Sequence, residues 1–209
     1  MIAVVDAGVG NLRSVVKAMA AVATGEVRLV DDAAQLSSAD RIVVPGQGAF
    51  GDSAKALRPN ASLGAAVLDH VRAGKPYLGI CLGMQLLFED SEEAPGDAGL
   101  AFFEGSVRRL PHDAREGARA CKLPNIGWCA TTATHDRDEL DRALAGWFYY
   151  VHSYAAAPTD DVVAADAPFG QHAFVAAVRR DNVLGVQFHP EKSQAVGLAL
   201  LAAFCRWNP

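Results

Sequence analysis

Three residues of this chain have the types and settings that nucleophilic chemistry needs: Cys81, His189 and Glu191. Cys81 stands in Gly79-Ile80-Cys81-Leu82-Gly83, with a glycine two positions away on each side. An apolar run from Tyr77 to Ile80 precedes it. Leu82 to Asp90 follows, with Met84, Leu87 and Phe88 at helical spacing. This is the pattern of a nucleophile elbow, with sulfur where the familiar motif carries a serine oxygen. A sharp strand-to-helix turn pushes its central side chain out over the sheet, and glycines let the backbone approach closely enough to make it. Read alone, the same five residues also fit a small buried cysteine at a strand end.

A base decides between these readings, because a free thiol is only a few per cent ionised at neutral pH. Val183 to Phe188 reads as a strand that delivers His189-Pro190-Glu191 at its end, where Pro190 forbids continuation in a central strand. A turn over two residues can bring the Glu191 carboxylate to the imidazole, holding its tautomer and favouring its charged form. Cys81 would then attack a carbonyl carbon. His189 would take the thiol proton, return it to the leaving amine and later activate water. The reaction class is acyl transfer through a thioester, with amide hydrolysis as its simplest outcome.

The elements that must position these groups follow a βα rhythm. Ile2 to Asp6 reads as the first strand, followed by a glycine turn and a helix from about Leu12 to Ala23. Gly8 and Gly10 resemble a dinucleotide turn, but position 13 is arginine rather than the third glycine, so that reading is set aside. Glu26 to Val30 and Arg41 to Val44 are the next strands. The latter runs into Pro45-Gly46-Gln47-Gly48-Ala49-Phe50-Gly51, a loop whose N–H groups can point into a shared cavity. In a parallel sheet this loop and the Cys81 elbow share the carboxyl edge, where α/β proteins place their sites. Backbone donors of Gly46, Gln47, Gly48 and Leu82 thus become candidates for an oxyanion hole, each donor being worth on the order of 10²–10³ in rate.

A helix from about Asn60 to Ala73, capped by Asn60 and stopped at Gly74, separates this loop from the elbow. Ser91 to Gly99 reads as a solvated acidic loop, Phe102 to Leu110 as a strand of an antiparallel section, and His112 to Ala120 as a mobile turn. Lys122 to Cys129 is a further notable run, and Trp147 to Tyr154, aromatic and β-branched, is a strand. His152 within it reads as a satisfied structural group. Val162 to Ala165 and Ala173 to Val178 complete the strands, and Ala195 to Trp207 is a final amphipathic helix.

The 209 residues, 51% hydrophobic and 21% charged, suit one α/β domain over 1–209 with a substantial core. A net charge of −5 gives no reason to expect a nucleic-acid partner. No apolar run approaches membrane-spanning length. The start has no basic region or cleavage signature, so the expectation is a cytoplasmic protein. Cys81, Cys121, Cys129 and Cys205 form no C-x-x-C element, so they read as reduced thiols with neither a metal site nor a redox pair. Asn60-Ala61-Ser62 is then a chance sequon.

Taken together, these motifs resemble a class I glutamine amidotransferase domain, on Gly79-Ile80-Cys81-Leu82-Gly83-Met84-Gln85 with His189-Pro190-Glu191. A finer resemblance, to the glutaminase subunits of imidazole glycerol phosphate synthase, spans Asp6 to Ser193. It is carried by Asp6-x-Gly8-x-Gly10-Asn11, Pro45-Gly46-x-Gly48-x-Phe50, Glu92-Glu93-Ala94-Pro95-Gly96 and Lys122-Leu123-Pro124-x-Ile126-Gly127-Trp128. Tyr150-Val151-His152-Ser153-Tyr154 and Gln187-Phe188-His189-Pro190-Glu191-Lys192-Ser193 complete it.

The resemblance implies a flavodoxin-like three-layer sandwich, with a mostly parallel central sheet and an additional antiparallel section. It implies hydrolysis of L-glutamine by Cys81, His189 and Glu191, without cofactor or metal, and with Gln85, Ser153 and Tyr154 holding the substrate. It further implies a heterodimer with a (β/α)₈ cyclase subunit that receives the ammonia in histidine biosynthesis, with Asn11, Tyr150 and Lys192 toward that partner. Asn125 and Cys129 depart from the family's common His and Asn, and Gln47 stands where a small aliphatic residue is usual. A glutaminase of another amidotransferase, such as the pyridoxal phosphate synthase partner, fits the Lys122 to Trp128 run and Lys192-Ser193 less well. A silent regulatory subunit has no support, since all three candidate catalytic residues are present.

Overall fold

A computed structural model describes residues 1–8, 10–58 and 61–209. Asn60, expected to cap a helix, lies outside the described residues. The first half of the chain alternates strands and helices. β1 (Ile2–Val5), α1 (Leu12–Val22), β2 (Val27–Val30), α2 (Ala33–Leu36), β3 (Arg41–Gly46), α3 (Phe50–Ala56) and α4 (Ser62–Arg72) lead to β4 (Tyr77–Cys81) and α5 (Leu82–Gln85). The second half is mainly β. It comprises β5 (Asp90–Ser91), β6 (Gly105–Arg109), β7 (Arg115–Glu116), β8 (Arg119–Ala120), β9 (Asn125–Ala133), α6 (Glu139–Arg142), β10 (Gly146–His152), β11 (Tyr154–Pro158), β12 (Val163–Phe169), β13 (His172–Arg180) and β14 (Val183–Val186). A 3₁₀ turn at Pro190–Lys192 and α7 (Gln194–Arg206) close the chain.

Nine strands form one sheet in the order β10-β9-β12-β13-β14-β4-β3-β1-β2. From β2 to β14 every pairing is parallel, and from β14 to β10 every pairing is antiparallel. The inner parallel strands read as apolar runs because helices cover both faces: β1 and β4 are buried at every position, whereas edge strand β2 is partly exposed. One buried cluster joins Met19 of α1, Ile80 and Phe204 of α7; the other joins Val44, Val67 of α4 and Met84. These are the two sides of a three-layer sandwich. β11, β6 and β5 make a small separate sheet, so the expected antiparallel section is partly a second sheet.

Two expectations require correction. The helix predicted from Leu82 to Asp90 is α-helical only to Gln85. The carbonyls that would accept its next bonds are taken by a returning segment: Leu86 O by Leu100 N, Leu87 O by Phe102 and Phe103 N, and Phe88 O by Ala101 N. Tertiary bonds therefore win over the 3.6-residue pattern. The turn expected at His112 to Ala120 contains the β7–β8 hairpin.

The parallel registers set the level of the site. Gly46 of β3 is opposite Cys81 of β4, and Val186 of β14 is opposite Ile80. The residue after β14, Gln187, therefore comes out level with Cys81. The first turn of α5 is pressed onto these strands: an added carbon at Gly83 would lie 1.8 Å from the Val44 carbonyl oxygen. Gly83→Ala should therefore destabilise the protein by about 3 kcal/mol or more, since backbone cannot yield as a side chain does. Gly25→Ala, where nothing lies within 4 Å of the added carbon, should cost under about 1 kcal/mol. Chemical denaturation of the two variants checks the contrast.

Candidate active site

The site begins with a strained backbone. Cys81 adopts φ 54° and ψ −105°, a region that side-chain-bearing residues rarely enter and that costs about 1–3 kcal/mol. The turn holds because its neighbours admit no bulk: an added carbon on Gly79 would sit 2.5 Å from the Gly83 carbonyl oxygen, and one on Gly46 would sit 2.6 Å from Leu82 Cβ. The buried Tyr77 hydroxyl adds a pin by donating to that same Gly83 oxygen at 2.8 Å.

From β14 the chain brings His189 to the same edge. Its backbone N–H donates to the Tyr149 carbonyl at 2.9 Å, and Ser193 Oγ donates to the His189 carbonyl at 2.7 Å. His189 Nδ1 lies 2.9 Å from Glu191 Oε1, with both side chains almost wholly buried. Nε2 has no geometrically complete hydrogen bond and is free for a reaction partner. Burial works against the imidazolium. Hydrogen bonding and charge from Cys81 and Glu191 outweigh it and carry the His189 pKa from 6.5 up to about 9.

A second histidine close by behaves in the opposite way. His152 is buried, with Nδ1 donating to the Tyr154 carbonyl at 2.9 Å and Nε2 accepting from Asn125 Nδ2 at 3.2 Å. Burial lowers its pKa to about 4, the Tyr154 bond opposing and the His189 charge assisting. The reading of His152 as a satisfied structural group agrees with these bonds. The two neighbouring imidazoles are thus pushed in opposite directions, His189 toward its charged form and His152 toward its neutral one.

Cys81 and His152 open on a cavity of about 310 Å³, of small-molecule size, while His189 and Glu191 lie buried outside its lining. Cys81, Gln47, Gly48, Leu82, Gln85, Ser153 and Tyr154 line it, together with Lys192, which was expected on a partner face. Gly46 is buried beneath it. Glu93 and His152 also line it, and neither was singled out for this. Glu93 was expected to be solvated, yet its carboxylate accepts from the Phe50 N–H at 3.0 Å and faces the cavity. Among the described residues no group of three or more His, Cys, Asp or Glu side chains could hold a metal ion, and no helix is long and apolar enough to cross a membrane. All four cysteines are unpaired.

The residues expected on a partner face divide. Asn11 is exposed, and Lys192 is half-buried at the cavity. Tyr150 is corrected: it is fully buried, with its hydroxyl 2.6 Å from Thr131 Oγ1. Side chains alternate along β10, so Phe148, Tyr150 and His152 point inward while Trp147, Tyr149 and Val151 point out. With Ile126 and Trp128 of β9 these make an outward-facing apolar ribbon, exposed at Ile126, Trp128 and Trp147 and half-buried at Tyr149 and Val151, beside a larger hollow of about 440 Å³, which contains none of the three candidate catalytic residues. The two unusual residues of β9 meet there: Asn125 Nδ2 lies 3.9 Å from Cys129 Sγ.

Comparison with known proteins agrees with this geometry. The family described as glutamine amidotransferase class I matches residues 3–206. The imidazole glycerol phosphate synthase subunit HisH of Syntrophotalea carbinolica is 44% identical over 98% of both chains. That of Aquifex aeolicus is 44% identical over 97% of this chain and 95% of its own, and that of Pyrococcus furiosus 41% over 98% of both. Among solved structures, a glutamine amidotransferase superposes with TM-score 0.72 at 19% identity over 98% of both chains. PurLQS from Thermotoga maritima superposes with TM-score 0.71 at 20% identity, over 98% of this chain and 96% of the other. The fold is that of these neighbours, and the chain belongs to the class I glutamine amidotransferase family of enzymes, in its HisH branch.

Proposed function

We propose that residues 1–209 form one glutaminase domain that hydrolyses L-glutamine and acts as a subunit of imidazole glycerol phosphate synthase. The observation that carries the chemistry is the strained Cys81 on the cavity wall, with His189 close enough for the sulfur to raise its pKa and with Nδ1 of that imidazole held by Glu191. With the thiol proton held on His189 Nε2, Cys81 attacks the side-chain carboxamide carbon of glutamine. The tetrahedral oxyanion accepts from backbone N–H groups of Leu82 and of the Gly46-Gln47-Gly48 loop. As the C–N bond breaks, His189 returns the proton to the nitrogen, and ammonia leaves a thioester. Water then attacks the thioester with His189 as base, releasing glutamate and the thiol. Glu191 holds the Nδ1–H throughout, so that Nε2 is the nitrogen that exchanges the proton.

The amino-acid end of the substrate suits the rest of the cavity. Glu93 offers a carboxylate to its ammonium group. Gln85 uses its nitrogen on Tyr154 O at 3.0 Å and on Gln187 Oε1 at 3.1 Å, leaving its own oxygen to accept. The Ser153-Tyr154 backbone closes this side. The reading needs no cofactor and no metal, and it places the reaction in the cytoplasm.

The synthase assignment rests on relatives of that name matching nearly the full chain. Its partner in this reading is a separate (β/α)₈ cyclase subunit in a heterodimer, which uses the ammonia to form imidazole glycerol phosphate and an aminoimidazole-carboxamide ribonucleotide in histidine biosynthesis. Asn11, Lys192, the exposed Ile126, Trp128 and Trp147 and the half-buried Tyr149 supply a face for it, taking the place expected of Tyr150. A sheltered path makes physical sense, because ammonia released near neutral pH is protonated and loses its nucleophilicity.

Cys81→Ala should abolish glutaminase turnover and glutamine-dependent synthesis by the assembled synthase, while synthesis from ammonium salts survives. Appreciable glutamine hydrolysis by this variant would remove Cys81 from its role. Glu191→Gln should lower turnover by on the order of 10²–10⁴-fold and move the His189 titration, followed by NMR, below about 9. The linkage has a definite sign. A histidine whose pKa rises from 6.5 to about 9 on folding contributes stability in full below 6.5 and loses it as pH rises through about 9. The variant's loss of stability should therefore be largest at the acid side of that window and shrink above it, as read by denaturant midpoints across pH.

A further inference from the structure

One fully buried polar side chain at the nucleophile has no part in the reaction as written. Gln187 follows β14 with no exposed surface, and its Nε2 lies 3.5 Å from Cys81 Sγ. A carboxamide can sit either way round, so its orientation must be argued from its other partners. The Tyr154 carbonyl can only accept. It takes a hydrogen from Gln85 Nε2 at 3.0 Å, which settles which end of Gln85 is nitrogen. The second hydrogen of that nitrogen goes to Gln187 at 3.1 Å, so the atom receiving it is Oε1. The end of Gln187 left facing the sulfur is therefore NH₂, a donor.

The row is anchored on its far side as well. The same Tyr154 carbonyl accepts from His152 Nδ1 at 2.9 Å, and Asn125 Nδ2 donates to His152 Nε2 at 3.2 Å. Every orientation between Asn125 on β9 and Cys81 on β4 thus follows from one backbone oxygen. Burial restricts rearrangement, because any flip would set donor against donor or leave a polar atom unpaired.

We propose that Gln187 is a further catalytic residue of this site, a fixed donor that favours the sulfur anion, both as nucleophile and as the group expelled when the thioester is hydrolysed. A hydrogen bond to the charged form of an acid favours that form, and more so away from water. The other ionisable groups around the sulfur are His189 with Glu191 behind it, Lys192 and Glu93 on the cavity wall, and the neutral His152. All remain in place when Gln187 alone is changed. The proposal rests on Cys81 as the nucleophile, but its test needs no glutamine, so its failure is separable from failure of the glutaminase reading.

The experiment follows alkylation of Cys81 by iodoacetamide in the full chain, read by peptide mass to separate it from Cys121, Cys129 and Cys205, across pH. Gln187→Met keeps an unbranched side chain and removes the donor. Its Cys81 should react about tenfold more slowly than the parent's at neutral pH and reach the parent rate in alkaline solution, the size expected of a hydrogen bond to a charged group. A merely structural role would not produce recovery with pH. An unchanged rate at neutral pH in a folded variant would overturn the proposal. Should the variant not fold, the side-chain amide resonances of Gln187 provide the second measurement. They should move on Cys81→Ala and stay put on Cys205→Ala, and indifference to Cys81→Ala would overturn the proposal equally.

Discussion

The structure depends on a single tight approach, the first turn of α5 lying against the ends of β3 and β4. Gly83 comes so near the Val44 carbonyl that no side chain fits, and Gly46 and Gly79 leave the same kind of gap beside Leu82 and Gly83. Only this crowding makes the left-handed backbone of Cys81 tolerable, because the turn has no room to relax into a commoner conformation. The consequence is directional: the sulfur is carried over the sheet edge where β3, β4 and β14 all end. In the proposed reaction the strain is thus part of the mechanism, as it presents the nucleophile and the Leu82 N–H together.

Around that sulfur the protein sorts polar groups by what they can hold. Two imidazoles sit near one another with opposite states. Glu191 and Cys81 keep His189 protonated up to about 9, whereas burial with both nitrogens occupied leaves His152 neutral down to about 4. A second positive ring beside His189 would repel it. Neutral His152 instead links the Tyr154 carbonyl to Asn125, so the unusual residues of β9 sit at one end of a hydrogen-bonded row whose other end is Gln187. The exposed ribbon of β9 and β10 and the buried site are therefore two sides of the same strands.

Much of the site was legible because its signals are local. The glycines flanking Cys81, the Pro190 that halts the strand after His189, and Glu191 two residues on are each constraints on a few consecutive residues. The glycine loop at Gly46 to Gly48 was legible for the same reason. Errors came where a distant segment intervened. The elbow helix stopped at Gln85 because Gly99 to Phe103 returns to take its carbonyls. Glu93 reads as part of an acidic, solvated loop until the Phe50 N–H is seen to hold its carboxylate at the cavity.

What the amino-acid order determined by itself was the alternation of strand and helix, the strand ends on which Cys81 and His189 ride, and the chemistry those residue types allow. Tertiary structure alone decided which face each side chain takes. Tyr150 turned inward and Tyr149 outward because the pleat has a period of two and the neighbouring strand sets its phase. It also brought Gln187 level with Cys81, across 106 residues of chain, through the parallel register of β14 on β4. Such placements depend on pairing between segments remote in sequence, and no short window of residues contains them.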